Sequence, residues 1–144
     1  WWHLDDPAHR GILQLVTDLN SRYKELDALW SLDVEPAGFQ WIDAQDWEDS
    51  VISFLRKAKD ARDQLLVVCN FTPVPRTQYR IGVPSGGYWR ELLNSDAREY
   101  GGSGQGNAGG IDAATVGAHG HYHSLVLTLP PLSILVLKNE SAAQ

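Results

Sequence analysis

Three histidines alternate in the segment HGHYH and are the first candidates for chemistry in the sequence. Because His119, His121 and His123 occupy every second position, a strand would present their imidazole rings on one face. Imidazole is a common ligand of zinc and copper, but no cysteine or acidic cluster lies nearby to complete a ligand set. We therefore expect no metal and interpret the side chains as solvated histidines at the boundary between a loop and a strand.

The segment GQGNAG (104–109) matches the GxGxxG fingerprint of dinucleotide-binding proteins letter for letter. The fingerprint works only where the glycines follow a strand and open a helix, since the helix N-terminus receives the pyrophosphate. Here a glycine-rich loop precedes the segment, and no helical periodicity follows it. The sequence therefore predicts a flexible surface loop, and we expect no nucleotide or other cofactor.

Acidic side chains are plentiful, but their positions do not indicate catalysis. They gather at the predicted start of a helix and in one predicted loop, where solvated carboxylates are common. No two are marked for work as general acid and base, and no GxSxG segment indicates a serine hydrolase. We expect no catalytic residue in this group, whose members are Asp5, Asp6, Asp43, Asp46, Glu48 and Asp49.

The segment Asn70-Phe71-Thr72 fits the pattern of an N-glycosylation site. Pro73 follows directly, and the residues before Asn70 are almost all apolar. This setting favours the end of a buried strand over a glycan acceptor on a surface loop.

Six tryptophans make sugar binding a further hypothesis, because flat aromatic rings bury the apolar faces of sugars. Trp47 is the first candidate: it lies in the acidic, loop-like segment DAQDWEDS, whose carboxylates are able to accept hydrogen bonds from sugar hydroxyls. Tyr88, beside the Gly86–Gly87 turn, is the second. The alternative for Trp47 is a ring folded back over the core, and Trp41 and Trp89, on strand patterns, are expected in that core.

One amphipathic helix is predicted near the start, in the segment DDPAHRGILQLVTDLNSRYKEL. Asp6 is able to cap it, and Pro7 suits the first helical position. Gly11 lies inside the pattern and predicts close packing there, since glycine costs about 1 kcal/mol relative to alanine in a helix. Apolar residues at helical spacing form a face that we call the apolar stripe: Ile12, Leu15, Val16, Leu19, Tyr23 and Leu26.

The chain after Phe39 has the pattern of short β-strands separated by acidic, glycine or proline turns. In TQYRIGV, alternation places Tyr79, Ile81 and Val83 on one face, whereas the continuously apolar QLLVVCNF is typical of a central strand buried on both sides. The predicted strands are FQWID, SVISFLRK, QLLVVCNF, TQYRIGV, YWRELLN, SLVLTL and SILVL. Together they predict a mainly β protein, an antiparallel β-sandwich preceded by one amphipathic helix.

Composition and charge limit the classes of function. At 144 residues with 43% hydrophobic and 21% charged side chains, the sequence suits an ordered domain with its own core. A net charge of −6 argues against binding to nucleic acid or to an anionic membrane surface. Cys69, the single cysteine, lies in an apolar run and is predicted to be a buried free thiol, which suits a reducing compartment such as the cytoplasm.

The sequence begins with WWHLDDP and contains no methionine. Two adjacent tryptophans at a free terminus would expose a large apolar area to water. We therefore expect a fragment of a longer chain.

Several ordered segments carry a resemblance to a known family. They are RGILQLVTDLNSRYKELDAL, GFQWID, SVISFLRK, NFTPVPRTQYRIGVP, GYWRELLNSD, YGGSGQGN and SLVLTLPPLSILVL. In this order they resemble the C-terminal end of the bacterial 1,4-alpha-glucan branching enzymes (glycogen branching enzymes), in the alpha-amylase superfamily. The resemblance runs over nearly the whole length, and the NFTPVPRTQYRIG segment is similar to a hallmark of that family.

The resemblance implies a parent enzyme of glycogen biosynthesis, a glycosyltransferase. Such an enzyme cuts an α-1,4-glucan and transfers the released segment to a 6-hydroxyl, which creates an α-1,6 branch. The family uses a retaining double displacement with an aspartate nucleophile, a glutamate acid/base and a stabilising aspartate, all in a (β/α)8 barrel expected upstream. No catalytic residue of the family is therefore assigned in this sequence, and the isolated chain is expected to be inactive.

The resemblance also implies a division of the chain and its partners. Residues 1–38 are similar to the last helix and exit segment of the barrel, and residues 39–144 to the C-terminal all-β domain. The expected partners are the parent's own barrel and, weakly, α-glucan at Trp47 and Tyr88. Outside the barrel, the apolar stripe is expected to promote self-association. The alternative hypothesis, which does not need a parent enzyme, is a stand-alone carbohydrate-binding β-sandwich.

Overall fold

The computed structural model of the chain describes residues 5–140, so the two terminal tryptophans, Trp1 and Trp2, lie outside the described part. Within that part, one α-helix precedes eight strands and three short 3-10 helices. The 3-10 helices are Asp27–Leu29, Pro36–Gly38 and Arg98–Tyr100. None of the described helices is both long enough and apolar enough to cross a bilayer.

Helix α1 (Pro7–Glu25) begins where the sequence predicts. The Asp6 side chain accepts a 2.8 Å hydrogen bond from the backbone N–H of Ala8, which satisfies a donor that the helix itself cannot satisfy. Pro7 occupies the first helical position, where its fixed φ is already suitable. The helix ends at Glu25 because Leu26 adopts an extended conformation.

The strands confirm a mainly β fold built from antiparallel pairs. They are β1 (Phe39–Asp46), β2 (Val51–Lys57), β3 (Gln64–Asn70), β4 (Arg76–Val83), β5 (Gly87–Asn94), β6 (Gly110–Ala113), β7 (His123–Leu129) and β8 (Ser133–Asn139). Six of them form one sheet in the order β1-β2-β3-β8-β5-β6, and β4 and β7 form the second sheet. Strand β3 lies inside the large sheet and is buried along almost all of its length, as predicted.

The main core lies between the two sheets. Tyr79, Ile81 and Val83 of β4 face it together, as the alternation predicts. Cys69 is buried and unpaired, which confirms the prediction of a buried free thiol, and burial raises the pKa of that thiol. The buried members of the core are Val51, Leu55, Leu66, Val68, Ile81, Val83, Trp89, Leu125, Leu127, Leu129, Leu135 and Leu137.

Strand β6 is absent from the predicted set of strands. It is only four residues long and opens with Gly110, so it has too few side chains to show an alternating pattern. Gly110 has a φ of 152°, and a Cβ there would lie 2.5 Å from the hydroxyl oxygen of Tyr88 and 2.5 Å from the carbonyl oxygen of Trp89. A glycine at this position therefore allows the edge strand to pair closely with β5.

Helix α1 is attached beside the large sheet through the 3-10 helix Arg98–Tyr100. Gly11 is the buried residue of the helix, and a Cβ there would lie 2.4 Å from the backbone oxygen of Tyr100. This confirms the close packing predicted from the glycine. A second apolar cluster joins the segment after α1 to the outer face of the large sheet through Ala28, Ala58 and Leu65.

Candidate functional site

Trp47, the first candidate from the sequence, lies in the turn between β1 and β2 with 80% of its surface exposed. Its backbone N–H donates to the carbonyl of Gln45 at 2.8 Å, but the indole is not covered by the sandwich. The alternative in which this ring folds back over the core is therefore wrong. The ring is available to a flat apolar ligand.

Two carboxylates near Trp47, those of Asp46 and Asp49, hold the turn, whereas Glu48 is exposed. Asp46 accepts a 3.1 Å hydrogen bond from the backbone N–H of Asp49 and a short one from the Tyr79 hydroxyl. Asp49 forms a 2.8 Å ion pair with Arg76. Burial, and then the contact with Asp46, raises the pKa of Tyr79, so the phenol remains a donor. Asp46 and Asp49 thus connect the turn to β4. Their carboxylates bind protein donors rather than the sugar hydroxyls expected from the sequence.

Two further loops meet the Trp47 turn at the same end of the sandwich. The backbone N–H of Phe71 donates to the carbonyl of Ser50 at 3.1 Å. The backbone N–H of Leu132 donates to the carbonyl of Thr72 at 2.8 Å. Hydrogen bonds therefore connect the Trp47 turn to the loop after β3, and that loop to the loop after β7.

Asn70 explains the sequence that resembles a glycosylation site. It is 2% exposed at the end of β3, where the sequence predicts a strand end. Its amide nitrogen donates to the carbonyls of Val74 and Pro130, both at 2.9 Å. Its amide oxygen accepts from the backbone N–H of Thr72 at 3.0 Å and from the Thr72 hydroxyl at 2.9 Å. Every hydrogen-bonding group of the amide is used, so Asn70 fixes the loop and presents no acceptor for a glycan.

Tyr88, the second candidate, lies far from Trp47. It is half-buried on β5 and pairs with Asp112 of β6. Strands β1 and β5 are separated by β2, β3 and β8, which corresponds to roughly 19 Å at about 4.8 Å per strand spacing. Tyr88 also lies near the Asn139 end of β8, whereas the Trp47 turn lies near its Ser133 end. The two candidates do not form one site.

Trp41 belongs to an exposed group of aromatic side chains, although its strand pattern predicts a position in the core. Trp41 is 52% exposed, so the prediction that it is a core residue is wrong, whereas Trp89 is fully buried as predicted. Trp41 and Phe39 lie on edge strand β1 and make edge-to-face contacts at 4.8 Å between ring centroids, and Phe39 stacks on Phe54 of β2 at 5.1 Å. A period-two pattern identifies a face of a strand, but it does not say which face is covered.

The three histidines do not share a strand face. His119 and His121 lie in the turn before β7, and His123 is the first residue of that strand, so the predicted boundary position is confirmed. Nδ1 of His119 accepts a 3.0 Å hydrogen bond from the backbone N–H of Gly82, and Nε2 lies 3.4 Å from Oδ2 of Asp43. His119 is therefore a bridge between the loop and both sheets rather than a solvated histidine. Burial lowers the pKa of His121, as do the charges of Lys57 and His119.

The GxGxxG segment lies in the loop before β6, as predicted, but the loop is anchored instead of free. The Asn107 amide nitrogen donates to Glu91 at 2.9 Å and to the carbonyl of Thr128 at 3.1 Å. Its amide oxygen accepts from the backbone N–H of Thr128 at 2.8 Å. Asn107 thus joins β5 of the large sheet to β7 of the small one, and the loop leads directly into strand β6 instead of the helix that a phosphate site requires.

The apolar stripe of α1 remains largely open to solvent. Four of its members are exposed, namely Ile12, Val16, Leu19 and Tyr23. Where α1 approaches the outer face of the large sheet, an apolar groove of about 360 Å³ separates them. The groove is lined by Leu19, Tyr23, Leu26, Leu29, Phe54, Val67, Leu92 and Val136, together with the polar Arg22, Asp33 and Arg56 and the buried Leu93.

Metal ligands do not gather anywhere in the part of the chain that the structure describes: no group of three or more histidine, cysteine or carboxylate side chains is arranged to hold an ion there. Several carboxylates instead form ion pairs with basic side chains, as Asp63 does with Lys138 at 2.7 Å and Asp60 with Arg62 at 2.9 Å. Asp46, Asp49, Asp60 and Asp63, which lie in turns or at strand ends, thus have structural contacts.

Comparison with known proteins relates the chain to a described domain family and to named relatives. Residues 41–140 match the family model described as alpha amylase, C-terminal all-beta domain. The chain is 59% identical to the 1,4-alpha-glucan branching enzyme of Aquifex aeolicus (strain VF5) over 96% of its own length and 22% of that protein. It is 58% identical to the protein of the same name from Aromatoleum aromaticum, over 95% of the chain and 21% of the relative. The chain therefore spans about a fifth of the curated relatives that it matches.

Proposed function

The chain belongs to the alpha-amylase C-terminal all-beta domain family, and we propose that it is the C-terminal part of a 1,4-alpha-glucan branching enzyme. The observation that carries this proposal is the 59% identity to a branching enzyme over 96% of the chain, helix and sandwich together. The parent enzyme cuts an α-1,4 linkage of a glucan and joins the released segment to a 6-hydroxyl as an α-1,6 branch. This reaction is a retaining hexosyl transfer and belongs to glycogen biosynthesis.

Within that enzyme, this part acts as a scaffold and as a surface for glucan, and the catalytic groups lie upstream. The pairing of its carboxylates with protein partners supports a scaffold role. Asp46 and Asp49 hold a turn, and Asp18 holds α1 to the segment before β6. These contacts connect the turn to β4 and α1 to the segment before β6, as a scaffold role requires.

The proposed partner of the apolar stripe is the parent's own catalytic barrel, which precedes this chain. The relatives are about five times as long as the matched segment, so they contain enough chain for a barrel. The open stripe and the apolar groove beside it support the proposal, because exposed apolar surface of this kind marks an interface. The division into residues 1–38 and 39–144 rests on the same proposal.

Direct contact with glucan stays a proposal for both Trp47 and Tyr88. Exposure favours Trp47, since a ring must be open on one face to stack on a sugar, and Tyr88 is half-buried. One or two rings support only weak, roughly millimolar affinity. The exposed indoles would equally suit a stand-alone carbohydrate-binding module, but identity that extends through α1 favours the branching enzyme.

We also propose a cytoplasmic location for the parent. The support is Cys69, which is buried and unpaired, as is common in a reducing compartment. Fractionation of cells that contain the parent tests this location, and recovery of the parent from the periplasm or the medium would contradict it.

The proposed function is tested on the parent protein with linear amylose as substrate. Branching predicts a fall in iodine staining together with new short chains that appear only after treatment with a debranching enzyme. Loss of staining without such chains would indicate hydrolysis and would overturn the proposal.

A further inference from the structure

Three hydrophobic side chains lie exposed on neighbouring loops at one end of the sandwich. Trp47 is 80% exposed, Phe71 59% and Leu132 68%. The backbone hydrogen bonds from Phe71 to Ser50 and from Leu132 to Thr72 connect the loops that carry them. We call these three residues the loop-tip surface. Single exposed apolar residues are ordinary, but three on hydrogen-bonded loops at one end of the sandwich need an explanation.

The Trp47 turn is held by side chains of β4 although its largest side chain is not buried. Tyr79 and Arg76, both from β4, bind the two carboxylates on either side of Trp47 and Glu48. The turn is therefore fixed from the opposite sheet, while the indole remains in solvent. A binding group held in place before its ligand arrives loses little conformational entropy on binding.

Backbone strain supports the same interpretation. Ser50 has a φ of 53° and Leu132 a φ of 46°, in the left-handed region that residues other than glycine rarely adopt. For a bulky residue such as leucine, this conformation is unfavourable. At Leu132 the strained backbone presents a hydrophobic side chain to water, which no gain in core packing explains. Strain of this kind is found at ligand-binding sites, among other functional positions.

We propose that the loop-tip surface is a non-catalytic binding site for a linear α-1,4-glucan chain. This inference rests on the proposed function, because the relatives are named for an α-1,4-glucan. The ring of Trp47 stacks on the apolar face of one glucose unit, the ring of Phe71 contacts a further unit, and Leu132 supports the chain on the neighbouring loop. Rings on two separate loops suit an extended chain better than a single sugar.

Charge favours an uncharged ligand at this place. The sequence has a net charge of −6, and Glu48 adds an exposed carboxylate next to Trp47. Nucleic acid and other polyanions would be repelled. A glucan has no charge, and its hydroxyls are able to donate hydrogen bonds to the Glu48 carboxylate.

The test is a titration of the 144-residue chain with maltoheptaose, followed by backbone amide shifts and tryptophan fluorescence. Shifts should map to the turn 47–50, to Phe71 and Thr72, and to Leu132. Trp47→Ala and Phe71→Ala should each weaken binding about fivefold. Trp30→Ala is the matched control, because Trp30 is an exposed tryptophan beside the 3-10 helix Asp27–Leu29, and it should leave binding unchanged. Amide spectra of each variant establish that it is folded.

Leu132→Asn provides a second readout. Asparagine tolerates the left-handed conformation better than leucine, so this variant should unfold at a higher urea concentration while binding maltoheptaose more weakly. A role of Leu132 in packing alone would lower the urea midpoint instead, and that result would count against the proposal.

Three results would overturn the inference: no shifts with maltoheptaose at tens of millimolar, unchanged binding in Trp47→Ala, or loss of binding in Trp41→Ala alone. Cellohexaose, with β-1,4 linkages, should bind more weakly, and equal binding would contradict the assignment to α-glucan. If the parent forms branches but these results are found, only the loop-tip surface is refuted. If the parent forms none, the proposed function fails independently of the titration.

Discussion

The hydroxyl of Tyr100 donates a 2.7 Å hydrogen bond to Oδ2 of Asp18, and this contact joins α1 to the 3-10 helix before β6. The hydrogen bond from Tyr100, followed by one from Gln14, lowers the pKa of Asp18 below its ordinary value of 3.8. A lowered pKa means that the ionised carboxylate stabilises the folded state. This contribution is present above pH 3.8 and is lost as the pH falls through the folded pKa.

We predict that Tyr100→Phe raises the pKa of Asp18 toward 3.8, because the largest cause of its depression is removed while the Gln14 contact remains. An NMR titration of side-chain carboxyl carbons measures the change. Asp60 is the internal control, since Arg62 lowers the pKa of Asp60 to about 2 without involving Tyr100. An unchanged pKa of Asp18 in the variant would show that the two side chains do not interact in solution.

We predict that Gly11→Ala destabilises the chain, although alanine favours helix by about 1 kcal/mol. The new methyl group would lie 2.4 Å from the backbone oxygen of Tyr100, so α1 must shift away. Overpacking of this kind costs about 1–3 kcal/mol. Urea unfolding measures the change, and Ser21→Ala, at an exposed position of the same helix, should stay within about 0.5 kcal/mol. A stabilised Gly11→Ala variant would mean that α1 does not pack on Tyr100.

We predict that Asn70→Ala lowers the free energy of unfolding by about 2–4 kcal/mol. The substitution removes four hydrogen bonds, including the buried one to the carbonyl of Pro130, which keeps only its donor from the Ser133 hydroxyl. Asn20→Ala, at an exposed position on α1, is the control and should have little effect. Equal unfolding curves for the two variants would refute the structural role of Asn70.

The apolar stripe leads to a prediction about association of the isolated chain. With Val16 and Tyr23 exposed, the chain should form oligomers that increase with concentration in sedimentation experiments. Val16→Glu should shift the chain toward monomer, because a carboxylate is poorly tolerated in an apolar contact. Ser21→Glu, exposed on the same helix but outside the stripe, should leave the association unchanged. A monomeric unsubstituted chain at all concentrations would count against an interface at the stripe.

Local signals in the sequence account for most of the fold. The Asp6–Pro7 pair predicts the start of α1, and alternation in β4 predicts which of its residues face the core. β6 is the exception, because a strand of four residues that begins with a glycine has too few side chains to show an alternating pattern. Its place at the edge depends on the close approach of Gly110 to β5, which is a tertiary contact.

The candidate site was less predictable, because its properties depend on contacts between distant parts of the chain. The acidic loop around Trp47 indicates this residue, but the partners that fix its turn, Tyr79 and Arg76, lie about 30 residues further along the chain. The strand pattern predicts Trp41 in the core, yet Trp41 lies on the uncovered face of an edge strand. Alternation within a strand is local, whereas the covering of one face by another element is not.

The central claim is that this chain belongs to a branching enzyme and contributes scaffold and glucan surface rather than catalytic groups. The direct measurement is the number of new α-1,6 linkages formed in amylose by the isolated 144-residue chain, with the parent enzyme assayed beside it. We predict branches with the parent and none above background with the isolated chain, because the proposed catalytic groups lie in the part of the parent that precedes it, and the chain matches only 22% of the relative. Branch formation by the isolated chain would contradict the account and place the catalytic groups within it.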